Sequence, residues 1–247
     1  MIIRHPENKD IPALKEIWRQ AFNDENDFIN VFFSLAFSEN RALIAEIDDS
    51  VASMLYWFDF NFNDKKVAYV YAVATLKDFR KKGLCNTLMT ALHKHLKASG
   101  YVGASLVPTN ETLFNFYGKM GYITCIYNDE DTVIAKEGNV SFNEISIEEY
   151  FTLRKKYLPE NCIRQDSNEF LKYQTTFYKG EDFIFALRSD DFFVVEFFGN
   201  KEMQPYILYS QNKEKGVFRT FGTKTPFAMY LPFEETDLPV YLDFAYD

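Results

Sequence analysis

The chain has 247 residues and a formal net charge of −9, with 27 Lys and Arg residues against 36 Asp and Glu residues. This acidic balance disfavours nucleic acid as a partner, because binding DNA or RNA depends on neutralising phosphates with a basic surface. The three cysteines are widely spaced and the three histidines form no cluster, so neither a disulfide framework nor a metal site is indicated.

The hydrophobicity and length of the chain bear on its location and on its number of domains. No apolar run approaches the ~20 residues that a membrane helix requires, and the N-terminus lacks the charged-then-apolar pattern of a secretory signal. The sequence therefore predicts a cytoplasmic protein without a membrane partner. At about 100–200 residues per domain, it forms one large domain or two small ones.

The first half alternates between strand and helix patterns. Apolar residues at helical spacing predict a helix from about Asp10 to Phe22 and a long amphipathic helix over Lys82–Ser99. In chain order the predicted elements are strand 2–4, helices 10–22 and 27–37, strands 41–47, 51–60 and 66–75, helix 82–99, strand 104–107, helix 111–120, and strands 122–127 and 132–136. This interleaving indicates an α/β fold with a mixed sheet.

A domain boundary is predicted near Lys136–Asn139, where a Gly-Asn turn follows an apolar strand. The domains would then be residues 1–137 and 138–247, packed against each other. The second half opens in the same element order as the first, with strand 140–145, helices 147–158 and 168–178, and strands 183–188 and 192–198. It is thus expected to be a degenerate copy of the first half.

The two halves differ at one segment of the first, Arg80–Cys85. Its nearest counterpart in the second half is Arg219–Lys224. Pro226 and Pro232 leave no room for a helix after that counterpart, because proline breaks helices. The copy is therefore expected to be truncated.

The segment around Arg80–Cys85 has the features of a phosphate-binding loop. A strand ends, three consecutive basic residues follow, and Gly83 opens a helix. A helix N-terminus presents unpaired N–H groups and partial positive charge, and glycine lets the backbone approach a ligand closely. On these residues alone, solvated charges beside a helix start are an equally good interpretation.

The pattern of a second segment, Asn110–Tyr122, predicts a short helix that ends at Tyr117. A turn at Gly121 and an aromatic strand are predicted to follow it. Taken alone, Tyr117 is more often a half-buried packing residue than a catalytic one. Its place in a second motif after the basic loop makes it a candidate.

Together these segments resemble the GNAT superfamily of acetyl-CoA-dependent N-acetyltransferases. The family pattern R/Q-x-x-G-x-G/A is matched by Arg80, Gly83 and Cys85, with a small cysteine in the last position. The second family motif is matched by Asn110, Phe116–Tyr117 and Gly121–Tyr122. The resemblance covers residues 1–137 and implies the GNAT fold there.

Within that superfamily, the stretches Val73–Thr75 and Tyr117–Tyr122 look like the tandem-domain branch typified by the enhanced-intracellular-survival acetyltransferases. In that branch a second, degenerate GNAT-like domain follows the active one. The resemblance therefore implies the same arrangement for residues 138–247.

The resemblance also implies a mechanism. Acetyl-CoA would lie where two parallel strands diverge, and a small-molecule or peptide amine would attack its thioester directly. A backbone N–H near Val73 would hold the oxyanion, and Tyr117 would protonate the departing thiolate. The implied acetyl-CoA-binding residues are Val73, Ala74, Thr75, Arg80, Lys81, Lys82, Gly83, Leu84, Cys85, Asn110 and Tyr117.

A general base is not evident, since the central strand Val67–Thr75 contains no carboxylate or histidine. The resemblance implies that the terminal carboxylate of Asp247 accepts or orients the ammonium. A simple edge strand is an equally good interpretation of the tail Leu242–Asp247. The alternative function is a catalytically inactive GNAT-like protein that binds CoA or a small amine as a sensor or partner.

Overall fold

The computed structural model describes residues 1–166, 168–188 and 192–246, which divide into two units. Unit 1 consists of Met1–Ile123, Met229–Asp237 and, near the C-terminus, Tyr246. Unit 2 consists of Thr124–Ala228 and Leu238–Ala245. The boundary predicted near residue 137 falls inside unit 2.

The mixed α/β class predicted from the sequence is confirmed. The helices are α1 (Ile11–Phe22), α2 (Asn26–Leu35), α3 (Leu84–Ala98), α4 (Glu111–Gly118), α5 (Ile147–Arg154), α6 (Glu169–Gln174) and α7 (Gln204–Ser210). The strands are β1 (Ile2–Arg4), β2 (Ala42–Ile47), β3 (Ser50–Phe62), β4 (Lys65–Thr75), β5 (Gly103–Leu106), β6 (Ile123–Ile134), β7 (Phe142–Ile145), β8 (Cys162–Ile163), β9 (Thr176–Gly180), β10 (Phe183–Arg188), β11 (Phe193–Gly199), β12 (Lys215–Phe221), β13 (Thr225–Pro232) and β14 (Tyr241–Leu242). None of the described helices is long and apolar enough to cross a membrane.

The sheet of unit 1 has the order β1-β2-β3-β4-β5-β13. Only β4 and β5 run parallel, and the other neighbours are antiparallel. Helix α3 places Leu88 and Leu92 against Leu55 of β3 in the core of one face. Strand residues alternate between faces, so the neighbouring Tyr56 meets Trp18 of α1 on the other face, with ring centroids 5.7 Å apart.

The sheet of unit 2 has the order β6-β12-β11-β10-β9-β7. Here β11 and β12 are the parallel pair, and the other neighbours are antiparallel. Without β6, the series β7-β9-β10-β11-β12 repeats the order and directions of β1-β2-β3-β4-β5. The second half therefore repeats the fold of the first.

The sixth strand of each sheet comes from an unexpected part of the sequence. Strand β13, which follows β12 in the chain, pairs with β5 in unit 1 through Met229–Pro232. Strand β6, which follows α4, pairs with β12 in unit 2 through Asn128–Ile134. Each sheet is therefore completed by a strand from the other half of the sequence. Local sequence patterns did not predict this exchange of strands.

Three predicted elements need correction. Helix α7 lies between β11 and β12, the place that α3 has in unit 1, so the copy is not truncated there; Arg219–Lys224 instead forms the end of β12 and the turn to β13. The helix predicted over 168–178 ends at Gln174, because the β-branched and aromatic residues after it form β9. The strands predicted at 122–127 and 132–136 are one strand, β6.

A buried cluster of charges ties the C-terminal segment of unit 2 to α5 and β11. The Arg154 guanidinium donates hydrogen bonds to Glu196 at 2.6 Å and to both carboxylate oxygens of Asp243 at 2.7 and 3.2 Å. These three side chains are at most 2% exposed. The hydroxyls of Tyr150 and Tyr241 also donate to Glu196, whose pKa is raised by burial and lowered in part by Arg154.

We expect Arg154→Met to lower the free energy of unfolding by about 3–5 kcal/mol, because two buried carboxylates lose their cation. Without Arg154, the pKa of Glu196 rises further above its unfolded value. The folded state then binds more protons than the unfolded state, so the variant's stability falls as pH rises from about 5 to about 8. Urea unfolding at both pH values measures the two effects.

The matched control is Lys172→Met. Lys172 also contacts two carboxylates, those of Glu148 at 3.3 Å and Glu169 at 3.1 Å, but all three side chains are at least 41% exposed. Such surface pairs contribute only about 0–1 kcal/mol. Similar losses in the Arg154 and Lys172 variants would contradict the prediction.

Candidate active site

Strand β4 carries a β-bulge near its C-terminal end. In its pairing with β3, Tyr71 lies opposite Tyr56 and Ala74 lies opposite Met54, so Ala72 and Val73 share one partner position. Ala72 has a φ of +47°, in the left-handed region that residues with a Cβ rarely adopt. Bulges interrupt the ladder and redirect backbone groups, often beside functional sites. Ala72 and Val73 therefore fall outside the regular ladder with β3.

The parallel strands β4 and β5 diverge just before this bulge. Their pairing runs from Val67 opposite Gly103 to Tyr69 opposite Ser105, and no further pair occurs between them in the described residues. Strand β4 nevertheless continues to Thr75. The carboxyl ends of the two strands are therefore not paired with each other, and the candidate crevice between them is at a common location for ligands in α/β sheets.

The basic loop follows β4 and leads into α3. Lys81 and Gly83 both have left-handed backbones, with φ of +61° and +80°. Arg80 folds back onto β4, because its Nε donates to the Thr75 carbonyl at 2.9 Å. In the part of the chain that the structure describes, no side chain caps the first N–H groups of α3, and the side chains of Arg80, Lys81 and Lys82 are exposed. The loop therefore combines free helix N–H groups with positive charge, which suits an anionic ligand.

Gly83 is needed for its backbone conformation. A Cβ built on Gly83 would meet no atom within 4 Å, so the space beside it is open. A residue with a side chain would instead be strained at the left-handed φ of this position.

Tyr117 lies on α4 with its side chain in the core of unit 1, only 7% exposed, among residues of α3. The described part of the chain provides no hydrogen-bond partner for its hydroxyl. Burial raises the pKa of Tyr117, and the nearby Cys85 adds to the shift. The hydroxyl is therefore protonated at neutral pH and free to donate to a ligand.

Cys85, in the first turn of α3, packs against the same core. Burial raises the pKa of its thiol to about 11. A thiol in this environment is therefore neutral at pH 7, and a thiolate there is more basic than in water.

These features point to the family identified by a sequence comparison. The model of the family described as "Acetyltransferase (GNAT) domain" matches residues 2–125 of the chain. The chain belongs to this family. A search of curated proteins returned no match.

Solved structures share the fold well beyond the matched GNAT domain. A GCN5-related N-acetyltransferase from Kribbella flavida has a TM-score of 0.69 at 11% identity, over 93% of this chain and 70% of that one. One from Anabaena variabilis gives 0.67 at 12% identity, over 93% and 72%. Eis1 from Mycobacterium abscessus gives 0.59 at 10% identity, over 95% and 67%. The similarity in fold therefore includes both halves of the chain, as the resemblance to the tandem-domain branch implied.

The structure of this GNAT domain brings part of the predicted site together. Val73, Cys85 and Tyr117 pack in the same core cluster, although they come from β4, α3 and α4. The Arg80–Gly83 loop follows β4 after one short 3-10 helix, Lys77–Phe79. Ala74 is buried and Thr75 is half-buried at the end of β4, and Leu84 is buried at the start of α3.

Asn110 stabilises the start of α4 in the GNAT domain. It is the N-cap of α4, and its Oδ1 accepts a hydrogen bond from the Leu113 N–H at 3.1 Å. Asparagine is a favoured N-cap because this bond satisfies a helix N–H that otherwise has no partner. Asn110 therefore fixes the start of the helix that carries Tyr117.

Asp247 lies outside the described residues. Tyr246, the residue before it, is buried against the aromatic face of β3 and β4. Its ring centroid lies 4.6 Å from that of Phe58, 5.7 Å from that of Tyr71 and 6.1 Å from that of Tyr69. Tyr71 immediately precedes the bulge residue Ala72.

Sequence reasoning missed two features of the site. The left-handed Ala72 gives no signal in the sequence, because alanine does not favour that conformation. The sequence gives no reason to pair His93 with Tyr122, whereas the Nε2 of His93 lies 3.0 Å from the Tyr122 hydroxyl. Across the described residues, no group of three or more His, Cys, Asp or Glu side chains is arranged to hold a metal ion.

Proposed function

We propose that this GNAT protein transfers the acetyl group of acetyl-CoA to a primary amine, with Tyr117 as the general acid. One observation carries the proposal. The Tyr117 hydroxyl is protonated, it has no partner in the described structure, and its side chain shares a core with the bulged strand β4. A small-molecule or peptide amine is the proposed acceptor.

The residues present fit acetyl-CoA, which supplies an activated acetyl group as a thioester. Val73, Ala74 and Thr75 lie on β4 beyond its last pair with β5, and their backbone groups would pair with the pantetheine arm. The N–H groups from Lys81 to Cys85 and the Arg80 side chain would hold the pyrophosphate. The open space at Gly83 leaves room for the phosphates to approach the backbone.

Burial keeps the Tyr117 hydroxyl protonated, so its proton is available to a thiolate formed beside it. In water, a tyrosine with a pKa of ~10 would protonate a thiolate of pKa ~8.5 at a small free-energy cost. The thiol of Cys85, in the same core, has a pKa of about 11. The CoA sulfur would become more basic in such surroundings, so the pKa values of both partners rise and the proton transfer remains feasible.

Thermal-shift titration with acetyl-CoA tests binding, with CoA and ATP as comparisons. A ligand at 100 times its dissociation constant stabilises the folded state by ~2.7 kcal/mol. We expect stabilisation by acetyl-CoA and CoA but not by ATP. Release of free thiol from acetyl-CoA, in the presence of alkylamines, polyamines or lysine-containing peptides, then tests turnover.

The outcomes separate the candidate functions. Binding with turnover supports the acetyltransferase. Binding without turnover of any amine supports the alternative of a catalytically inactive CoA-binding protein. No shift at millimolar acetyl-CoA would refute the acetyltransferase and the CoA-binding form of the alternative, because both require the cofactor loop to work. It would leave only an inactive protein that binds a small amine.

We further propose that the terminal carboxylate of Asp247 accepts a proton from the acceptor ammonium or orients it. Support comes from Tyr246, which packs on Tyr71 beside the bulge of β4. We expect deletion of Asp247 to lower kcat by about 10²-fold at neutral pH, as for loss of a general base, while KM for acetyl-CoA changes little. Asp247→Asn is the matched variant, since it removes only the side-chain carboxylate. Unchanged kcat after the deletion would exclude a role for Asp247.

A further inference from the structure

The turn that follows α4 fixes Tyr122 relative to Tyr117. The Tyr122 N–H donates to the Tyr117 carbonyl at 3.2 Å, and the Gly121 N–H donates to the Gly118 carbonyl at 3.0 Å. Gly121 has a φ of +94°. These two bonds around a left-handed glycine define a Schellman motif, in which the residue after the glycine contacts the residue five positions earlier.

The two aromatic rings form that contact. Their centroids are 5.8 Å apart and their planes are tilted by 66°, a favourable edge-to-face geometry. Both side chains are buried, with Tyr122 4% exposed. Tyr122 is thus one wall of the space that holds the Tyr117 ring.

Helix α3 holds Tyr122 from the other side. The Nε2 of His93 lies 3.0 Å from the Tyr122 hydroxyl, and the His93 ring also packs on Phe233, with centroids 5.9 Å apart. Burial, with a contribution from Lys97, lowers the pKa of His93 to about 4. The imidazole is therefore neutral at pH 7 and forms an uncharged hydrogen bond with the hydroxyl.

We propose that His93 and Tyr122 are positioning residues for Tyr117. His93 fixes the Tyr122 ring, and that ring, together with the Schellman turn, fixes the ring of Tyr117. This inference rests on the proposed function of Tyr117 as the general acid.

The need for positioning follows from the surroundings of Tyr117. Because no described residue bonds its hydroxyl, only ring contacts and the backbone determine where the oxygen lies. Rotation about the Cβ–Cγ bond leaves the oxygen in place, since it lies on the ring axis, but a change of χ1 moves it by several ångströms. Tyr122 and Phe116, whose centroid lies 5.2 Å from that of Tyr117, oppose such a change.

Steady-state kinetics of three variants test whether His93 and Tyr122 position Tyr117. Tyr122→Phe and His93→Phe remove the hydrogen bond but keep the rings, and we expect each to lower kcat about three- to tenfold with an unchanged KM for acetyl-CoA. His93→Gln, which keeps a polar group, should recover much of the loss. In a Tyr117→Phe background, neither substitution should lower kcat further. A full additional loss in that background would overturn the inference.

A measurement independent of turnover separates this inference from the proposed function. Full-length protein labelled with ¹³C at tyrosine Cζ gives a Tyr117 signal that Tyr117→Phe assigns. We expect His93→Phe to shift or broaden this signal through Tyr122, the residue that His93 hydrogen-bonds. His95→Phe is the matched control, since His95 packs on His5 and Trp57, and should leave the signal unchanged.

CoA, added as the probe, distinguishes the two failures. A Tyr117 signal that does not respond to CoA in the wild type would refute the proposed site of the cofactor, whatever His93 does. A signal that responds to CoA but is identical in wild type and His93→Phe would refute the positioning role alone.

Discussion

Replacing Tyr117 with phenylalanine is expected to lower kcat by about 10²–10⁴-fold, the usual contribution of a positioned general acid. The KM for acetyl-CoA should change little, because the basic loop and the β4 backbone carry most of the proposed binding. Thermal stability should also be unchanged. The ring is retained in its core cluster, and the described structure gives the hydroxyl no bond to lose.

Steady-state thiol release with an amine found in the acceptor screen measures the effect, and a melting curve confirms the fold. The matched control is Tyr101→Phe, which removes a hydroxyl that hydrogen-bonds to Asp59. Tyr101→Phe should keep its kcat. A Tyr117→Phe enzyme with unchanged kcat would contradict the role of Tyr117 as the general acid.

Local sequence signals predicted the elements that carry the candidate site. The helix predicted at 82–99 is α3 at Leu84–Ala98, and the helix predicted at 111–120 is α4 at Glu111–Gly118. Apolar spacing and glycine positions identify such elements because both act over a few residues. The same locality explains why the loop and Tyr117 were found together.

Features that depend on distant contacts were not predictable in this way. The bulge at Ala72 requires a left-handed alanine, which only the packing of β4 against its neighbours can impose. Helix α7, in contrast, was predictable from the sequence, since Pro205 lies in its first turn and the apolar residues Ile207 and Leu208 are buried. The pairing partners of β6 and β13 were not, because register between remote strands is not encoded in either strand alone.

That exchange of strands makes a strong prediction about fragments of the chain. A fragment of residues 1–137 contains every predicted element of the first half but lacks β13. In the intact chain, Met229–Pro232 pairs with Gly103–Leu106 of β5. Tyr230 of β13 is completely buried and packs so closely on Gly103 that a Cβ there would lie 2.2 Å from its hydroxyl.

The fragment would therefore expose the edge of β5 beside the candidate crevice. Burying a side chain such as Met229 contributes about 1.5–3 kcal/mol, and several are lost together with four paired positions. Because whole domains are stable by only about 5–15 kcal/mol, we expect the fragment to be unfolded or aggregated. The complementary fragment, 138–247, would lack β6, which pairs with β12 over Asn128–Ile134.

Circular dichroism and gel filtration of the separate fragments measure this prediction, and co-expression provides the control. Both fragments together contain every strand, so co-expression should restore a stable complex that binds acetyl-CoA. The full chain with a protease site inserted after Glu137 should likewise remain folded after cleavage, since the break is the same but all strands are already paired. A fragment 1–137 that is folded, monomeric and binds acetyl-CoA alone would show that β13 is dispensable to unit 1. The boundary near residue 137 would then describe an independent domain, and the strand exchange would be an addition to a sheet already stable without it.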